Sequence, residues 1–217
     1  MHRIFLFMPR VAIIIPTYNR AHVLVRAIRS VLCQTFGDFE LIVVDDGSTD
    51  GSSTLPLLQH PEPRMRIINH PENRGVSAAR NAGIAASNAP LLAFLDSDDE
   101  WMPRKLYKQI AWLEANPACP IVQTREVWIR RGKRVNPPKT HEKFPGDLFT
   151  ASLERCMITP SSVLMTRALF DECGPWNEAL SACEDYDLWL RITSRYPVGL
   201  VDEYLLTRYG GHADQLS

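Results

Sequence analysis

Three polar clusters in this sequence carry side chains that could do chemistry, and each directly follows an apolar run of strand length. The clusters are Pro16-Thr17-Tyr18-Asn19, Asp45-Asp46 and Asp96-Ser97-Asp98-Asp99. Ligands of an open parallel sheet bind beyond the carboxyl ends of its strands, so we expect the clusters to meet at one edge. Asp, Asn and Ser are also common in turns and helix caps. A role in turns or helix caps would explain any single cluster, but it explains less well why three clusters should converge on one edge.

The densest cluster, at residues 96–99, places three carboxylates within four positions. Carboxylates repel a diphosphate unless a divalent cation bridges them. Mg²⁺ or Mn²⁺ binds one or two carboxylates and completes its shell with phosphate oxygens and water. As a Lewis acid, such a cation neutralises charge on a departing nucleoside diphosphate. The glycine-rich phosphate motifs GxGxxG and GxxxxGK[ST] are missing, which disfavours dehydrogenases and P-loop NTPases.

Around these clusters, apolar runs alternate with segments of helical period, which predicts parallel βαβ units in an α/β fold. The first half contains predicted strands at residues 11–15, 41–44, 65–68 and 91–95, and predicted helices at 23–32 and 76–86. Within the second helix, Gly83 indicates close packing on the sheet. The expected architecture is a mostly parallel, Rossmann-like nucleotide-binding sheet flanked by helices.

The second half is less regular and predicts a smaller, mixed region. A helix is expected to begin at Pro103 and a second helix to span residues 184–194. Strands are expected at 121–129, 163–166 and 198–208, with a hairpin tip at 130–134 and a loop at 137–146. We interpret the chain as one domain, with residues 11–100 as the nucleotide-sugar half and residues 101–217 as the acceptor half.

The bulk composition narrows the class of protein. A net charge of −1 over 217 residues argues against a nucleic-acid partner. The five cysteines show no zinc-type spacing and suit a reducing cytoplasm. No apolar run approaches the roughly 18 residues of a spanning helix. These features predict a soluble cytoplasmic protein, with peripheral contact at the inner face of the membrane as an alternative. The basic tip at 130–134 is expected to be solvated, or else to contact anionic lipid.

Five ordered motifs resemble the signatures of family 2 glycosyltransferases. They are IIIPTYNR (13–20), VVDDGSTDGS (43–52), NRGVSAARNAG (73–83), FLDSDDEWMPRKL (94–106) and CEDYDLWLRI (183–192). The resemblance runs over nearly the whole chain, from about residue 11 to residue 217. It implies the GT-A fold, a nucleoside-diphosphate sugar donor, a divalent metal ion and inversion at the anomeric carbon.

The resemblance assigns the nucleoside pocket to the first two clusters. Pro16, Thr17 and Tyr18 would surround the nucleoside, with Tyr18 stacked on a base that we expect to be uracil. Asp46, or its neighbour Asp45, would accept a hydrogen bond from the imide N–H of that base. A UDP-sugar is therefore the expected donor.

The third cluster and the C-terminus carry the implied metal site. Asp96 would face the ribose and sugar beside Ser97, and Asp98 would bind Mn²⁺ or Mg²⁺, with Asp96 as a second ligand. Asp99 would also bind the metal ion or would cap the next helix. His212 lies where relatives often place a histidine near the metal or diphosphate; an exposed histidine near the terminus is the alternative.

The resemblance also implies the catalytic residues. Arg80 would lie near the diphosphate, unless it is a solvated helix residue. Glu184 and Asp185 open a predicted helix, and Asp185 would be the general base that deprotonates the acceptor hydroxyl, unless the pair only caps the helix. The positive end of the helix favours an ionised Asp185, whereas adjacent Glu184 raises its pKa.

Two other functions compete with a transferase that acts on a glycan or lipid-linked acceptor in polysaccharide or cell-envelope synthesis. A sugar nucleotidyltransferase would normally carry a glycine-rich loop with a basic residue after the first strand, and residues 16–20 lack it. The second competing function is that of a catalytically inactive module that binds sugar nucleotides.

Relatives usually continue past residue 217, so we expect a truncated chain whose acceptor side is incomplete. The sugar and acceptor preferences are expected to reside in loops 136–149 and 156–162.

Overall fold

A computed structural model describes residues 8–136, 138 and 141–210 of the chain. Its strands are β1 (Val11–Thr17), β2 (Phe39–Asp45), β3 (Met65–Asn69), β4 (Leu91–Phe94), β5 (Glu100–Trp101), β6 (Ile121–Arg130), β7 (Lys133–Val135), β8 (Leu164–Thr166) and β9 (Gly199–Gly210). Its helices are α1 (Ala21–Leu32), α2 (Pro56–Gln59), α3 (Val76–Ala85), α4 (Lys105–Ala115), α5 (Phe149–Glu154), α6 (Arg167–Cys173) and α7 (Glu184–Thr193).

The strands form one sheet in the order β3-β2-β1-β4-β8-β6-β9-β5, with β7 paired to β6 outside this path. The first four strands of the order are parallel neighbours. Beyond them, β8 runs antiparallel to both β4 and β6, β6 is parallel to β9, and β9 is antiparallel to β5. The predicted fold class, a parallel nucleotide-binding sheet with a smaller mixed part, is confirmed.

Strand β1 shows why its sequence is apolar without interruption. Ala12 and Ile14 pack in the core on one face of the sheet, together with α3 and α7. Val11, Ile13 and Ile15 pack in the core on the other face, together with α1 and α4. Because both faces of this strand are buried, its residues are apolar throughout, without the alternation of polar and apolar residues found in a half-exposed strand.

Helix α3 approaches the sheet closely because of Gly83. A Cβ at this position would lie 2.6 Å from Cγ2 of Ile14 and 3.3 Å from Cγ2 of Val44. Any larger residue would push the helix off strands β1 and β2. The expectation that Gly83 permits close packing on the sheet is confirmed.

The second half departs from the expected elements in several places. Helix α4 begins at Lys105 rather than at Pro103, because the Pro103 carbonyl accepts the Thr35 N–H at 2.8 Å and belongs to the preceding turn. The short elements α5, α6 and β5 were not predicted. Each is two to seven residues long, too short for a hydrophobic period to emerge.

The basic segment forms the expected hairpin tip between β6 and β7. Arg131 and Gly132 occupy the turn with φ values of 49° and 73°, the left-handed pair that a tight two-residue hairpin turn requires. In the part of the chain that the structure describes, no helix has the length and apolar character needed to cross a membrane.

Candidate active site

The carboxyl ends of β1, β2 and β4 and the start of α7 open onto one cleft of about 1730 Å³. Most of the predicted site residues line it: Pro16, Thr17, Tyr18, Asp46, Arg80, Asp96, Ser97, Asp98, Glu184 and Asp185. Asp45 does not line the cleft, and His212 lies outside the described residues. The clusters therefore converge as their positions at strand ends predicted.

After strand β2, Asp45 and Asp46 have different structural roles. Asp45 is buried, and its Oδ1 accepts the Ser48 N–H at 3.0 Å, which closes the turn after β2. Asp46 borders the cleft and lies 2.6 Å from Nδ1 of His70. Its carboxylate also accepts the backbone N–H groups of Arg74 and Gly75. Asp46 thus anchors residues 70–75 at the rim of the cleft.

Tyr18 is presented to the cleft by a loop that side-chain hydrogen bonds hold in place. Asn19 takes a left-handed conformation, with φ of 52°. Its N–H donates to Oγ of Ser48, and its Oδ1 accepts the N–H of Thr49. The side chain of Tyr18 is 44% exposed. An aromatic ring on a braced loop at the cleft wall is available for a planar base to stack on.

Arg80 is the most heavily engaged side chain of the site. Its guanidinium is buried, donates to Asp96 Oδ1 at 2.8 Å and to Glu184 Oε1 at 2.7 Å, and stacks 4.4 Å from the ring centroid of Trp176. Burial favours the neutral form, but the two carboxylates outweigh it and the pKa of Arg80 is raised. The alternative that Arg80 is a solvated helix residue is wrong. One guanidinium thus joins the carboxylate after β4 to the carboxylate at the start of α7.

The carboxylates at 96–99 lie in a crowded, negatively charged environment. The Asp96 N–H donates to Oγ of Ser161, and the carboxylate of buried Asp99 accepts the Tyr209 N–H at 3.2 Å. Burial, and then the charges of Asp96 and Asp98, raise the pKa of Asp99 well above its usual range. Such crowding is relieved by a bound cation.

The oxygen ligands of this cluster suit Mg²⁺ or Mn²⁺. Among the described residues no group of three or more His, Cys, Asp or Glu side chains is arranged to hold a metal ion. One or two carboxylates are nevertheless enough when substrate phosphates complete the shell. Asp96 and Asp98 both line the cleft, and Oδ1 of Asp96 also accepts from Arg80.

Glu184 and Asp185 begin helix α7, as predicted, and their environments separate their roles. Glu184 is buried and held by Arg80. Asp185 also borders the cleft, and Sγ of Cys156 lies 3.8 Å from its Oδ2. Burial first, and then the Glu184 charge, raise the pKa of Asp185, while Arg80 acts in the opposite direction. Burial thus outweighs the expected stabilisation of its ionised form.

A buried charge network around Glu126 was not predicted from the sequence. Glu126 lies 3.3 Å from Nζ of Lys143 and 3.3 Å from a guanidinium nitrogen of Arg208, which borders the cleft. Burial opposes ionisation of Glu126, but the two cations lower its pKa to about 2. The three residues come from β6, a loop and β9, so no local pattern connects them.

Ser161, which was also not predicted, belongs to a segment that holds the backbone of the acidic cluster through the hydrogen bond from the Asp96 N–H. Its carbonyl accepts from Nε1 of Trp101, and the neighbouring Ser162 carbonyl accepts from Nε2 of Gln109. Nζ of the buried Lys105 donates to Oε1 of Gln109 at 2.7 Å. These interior bonds fix the segment whose hydroxyl holds the backbone of Asp96.

The cleft therefore combines an exposed aromatic ring, a carboxylate cluster able to hold a cation, and a further carboxylate at a helix start. This combination, at the carboxyl edge of a parallel sheet, is typical of nucleotide-dependent group transferases. Residues 12–174 match the family described as glycosyl transferase family 2, and the chain belongs to that family. The family resemblance is confirmed.

Named relatives support this assignment. An uncharacterized glycosyltransferase of Rickettsia felis is 35% identical over 90% of this chain and 32% of its own length. The Escherichia coli UDP-Glc:alpha-D-GlcNAc-diphosphoundecaprenol beta-1,3-glucosyltransferase WfgD is 33% identical over 84% of this chain and 69% of its own length. The chain thus spans about a third of the length of the Rickettsia relatives it matches.

Solved structures share the fold at lower identity. S. aureus TarS 1–349 in complex with UDP-GlcNAc has a TM-score of 0.81 and 19% identity, covering 95% of this chain and 60% of that one. Mannosyltransferase PcManGT from Pyrobaculum calidifontis, in complex with GDP-Man and Mn²⁺, has a TM-score of 0.72 and 19% identity. The match covers 96% of this chain and 59% of that one. These neighbours confirm the GT-A fold.

Proposed function

We propose that this chain transfers a sugar, with inversion, from a UDP-sugar to a hydroxyl of a glycan or lipid-linked acceptor in cell-envelope polysaccharide synthesis. The observation that carries the proposal is the double ion pair of Arg80. It ties Asp96 to Glu184, so the donor-side carboxylates and the start of α7 lie within the span of one guanidinium. Asp185, the next residue of α7, lines the same cleft and would act on the sugar that the donor presents.

The choice of donor and acceptor rests on the named relatives. WfgD is named for UDP-Glc and a diphosphoundecaprenol acceptor, and TarS was solved with UDP-GlcNAc. PcManGT was solved with GDP-Man, so a purine donor is the competing outcome. The five cysteines are free, which is consistent with action in a reducing cytoplasm, at the inner face of the membrane where a lipid-linked acceptor would lie.

In the proposed mechanism, the acceptor oxygen attacks the anomeric carbon from the side opposite the diphosphate. Asp185 takes the hydroxyl proton as the new C–O bond forms and the bond to the diphosphate oxygen breaks. Arg80 holds Glu184 and Asp96 in fixed positions during this exchange. Asp98 and Asp96 would hold Mn²⁺ or Mg²⁺, which supplies Lewis-acid stabilisation of the leaving diphosphate. Tyr18 and Asp46 would bind the base.

One turnover assay separates this proposal from its two rivals. The purified protein is incubated with a panel of UDP- and GDP-sugars, Mn²⁺ and a lipid-linked diphosphate acceptor, and each product is quantified. Release of UDP together with a glycosylated acceptor is the expected result. Release of pyrophosphate would identify a nucleotidyltransferase, and binding without product would identify an inactive module.

Donor binding is expected to require a divalent cation at Asp98. The variant Asp98→Ala should reduce UDP affinity in the presence of Mn²⁺ to the level that the unaltered protein shows in EDTA, because the diphosphate then faces uncompensated carboxylates. Calorimetric titration with UDP measures both. Asp171→Ala, an exposed aspartate in α6, is the matched control and should bind normally. Equal UDP affinity with Mn²⁺ and with EDTA would contradict the metal assignment.

Tyr18 is expected to stack on the base. Tyr18→Ala should weaken UDP binding by roughly 1 kcal/mol, the lower end of the 1–3 kcal/mol measured for base–aromatic stacking, whereas Tyr18→Phe should retain affinity. Tyr204→Ala, at a tyrosine that is 57% exposed and outside the cleft, is the control. Unchanged binding by Tyr18→Ala would remove the stacking role, and tighter binding of GDP than UDP would overturn the choice of base.

A further inference from the structure

The β6–β7 hairpin ends in a concentrated positive charge. Arg130, Arg131, Lys133 and Arg134 occupy four of the five positions at its tip, and all four side chains are exposed. The described residues include no acidic side chain in an ion pair with any of them; Arg130 stacks on the ring of Trp128. The acidic residue of this hairpin, Glu126, is buried and pairs with Lys143 and Arg208 instead.

The basic surface continues beside the tip. A groove of about 290 Å³ is lined by Arg131 from the hairpin together with Arg20, His22 and Arg26 at the start of α1. Asp98 is the acidic residue of this groove, and its carbonyl accepts from the Arg26 guanidinium at 2.6 Å. The hairpin tip and the start of α1 therefore border one groove, and the exposed arginine and lysine side chains beside it are those of the hairpin.

This surface adjoins the entrance of the active-site cleft. Arg130 and Val135, one on each strand of the hairpin, line the cleft itself. The tip is also held in a defined shape, because the turn at Arg131 and Gly132 is tight and β6 pairs along its length with β9. A partner bound by the tip would lie next to the cleft opening.

We propose that the hairpin tip and the start of α1 dock this protein on an anionic phospholipid bilayer and turn the cleft entrance toward it. The inference deepens the proposed function, because a lipid-linked acceptor would be held at that same surface. Clusters of four or more Lys or Arg residues bind anionic headgroups by electrostatic attraction, and each such residue near the surface strengthens binding about fivefold.

A lipid surface fits the observations better than a nucleic acid. Proteins that bind single strands combine positive charge with exposed aromatic rings on which bases stack. The aromatic residue of the hairpin, Trp128, is buried and is approached by the guanidinium groups of Arg130 and Arg208. The tip thus offers charge without a stacking ring.

Vesicle co-sedimentation without donor or acceptor tests the docking surface independently of catalysis. The unaltered protein should bind vesicles containing phosphatidylglycerol, should not bind pure phosphatidylcholine vesicles, and should release in high salt. The triple variant Arg131→Asn, Lys133→Gln, Arg134→Gln should bind anionic vesicles roughly 100-fold more weakly. Asparagine before Gly132 preserves the turn, since Asn-Gly favours this conformation.

The matched control removes three exposed arginine charges elsewhere, Arg66→Gln, Arg104→Gln and Arg195→Gln, of which Arg66 and Arg195 are in surface ion pairs. This control should bind anionic vesicles like the unaltered protein. Equal loss in both triple variants would overturn the proposal, because net charge alone would then account for binding. So would equal binding to neutral and anionic vesicles, or binding to a single-stranded oligonucleotide without binding to vesicles. UDP-sugar turnover with a soluble acceptor is measured separately, so failure of docking and failure of the proposed function are distinguishable.

Discussion

Replacing Asp185 with Asn is expected to lower the turnover rate by roughly 10²–10⁴-fold while donor affinity changes little. Asparagine keeps the shape of the side chain but cannot accept the acceptor proton. Asp185 borders the cleft at the first turn of α7, and its neighbour Glu184 is already held by Arg80. Of the two carboxylates, Asp185 is therefore the one available as a base.

The measurement is single-turnover transfer with saturating UDP-sugar, combined with calorimetric UDP binding. Asp187→Asn is the matched control, because Asp187 lies in the same helical turn but pairs with Arg191 and does not line the cleft. It should retain near-full turnover. Near-full turnover by Asp185→Asn, or a product that retains the anomeric configuration of the donor, would refute the assigned role.

The same base predicts a pH dependence. Burial and the Glu184 charge raise the pKa of Asp185, and a general base acts only when deprotonated. Turnover should accordingly fall at acidic pH with a midpoint above the ordinary range of an aspartate. The acidic limb should be absent from the residual activity of Asp185→Asn.

Replacing Arg80 with Ala is expected to lower the free energy of unfolding by about 3–5 kcal/mol, the usual cost of removing one partner of a buried ion pair. The substitution leaves the buried Glu184 and the half-buried Asp96 without their shared cation, and it removes the guanidinium stacked on Trp176. The remaining carboxylates should also separate, so turnover should fall even in the molecules that stay folded.

Urea unfolding measures this loss, and a second arginine of the same motif provides the control. Arg74 pairs with Glu178 at 3.6 Å, and both side chains are about half exposed; such surface pairs contribute about 0–1 kcal/mol. Arg74→Ala should therefore unfold nearly as the unaltered protein does. If Arg80→Ala does not fold, adding Glu184→Gln should restore part of the stability, because one uncompensated charge is removed. Equal stability of Arg80→Ala and Arg74→Ala would contradict the structural role.

The local properties of the chain determined the nucleotide-binding half. Residues 11–15 and 41–44 are apolar throughout because both faces of a parallel strand are covered, and Gly83 stands where α3 meets the sheet. The polar residues that follow the strands had to converge because parallel strands end at one edge. The fold class could for this reason be predicted from short sequence segments, and most of the predicted site residues do line the cleft.

Only the tertiary structure decided how the charges of the site are paired. The sequence left a solvated helix face open as the alternative for Arg80, yet Arg80 bridges Asp96 and Glu184, which lie 16 and 104 residues away in sequence. The network of Glu126, Lys143 and Arg208 joins three separate segments in the same way. Such pairings depend on which side chains are brought together and shielded from water, and a linear sequence carries no local signal of that proximity.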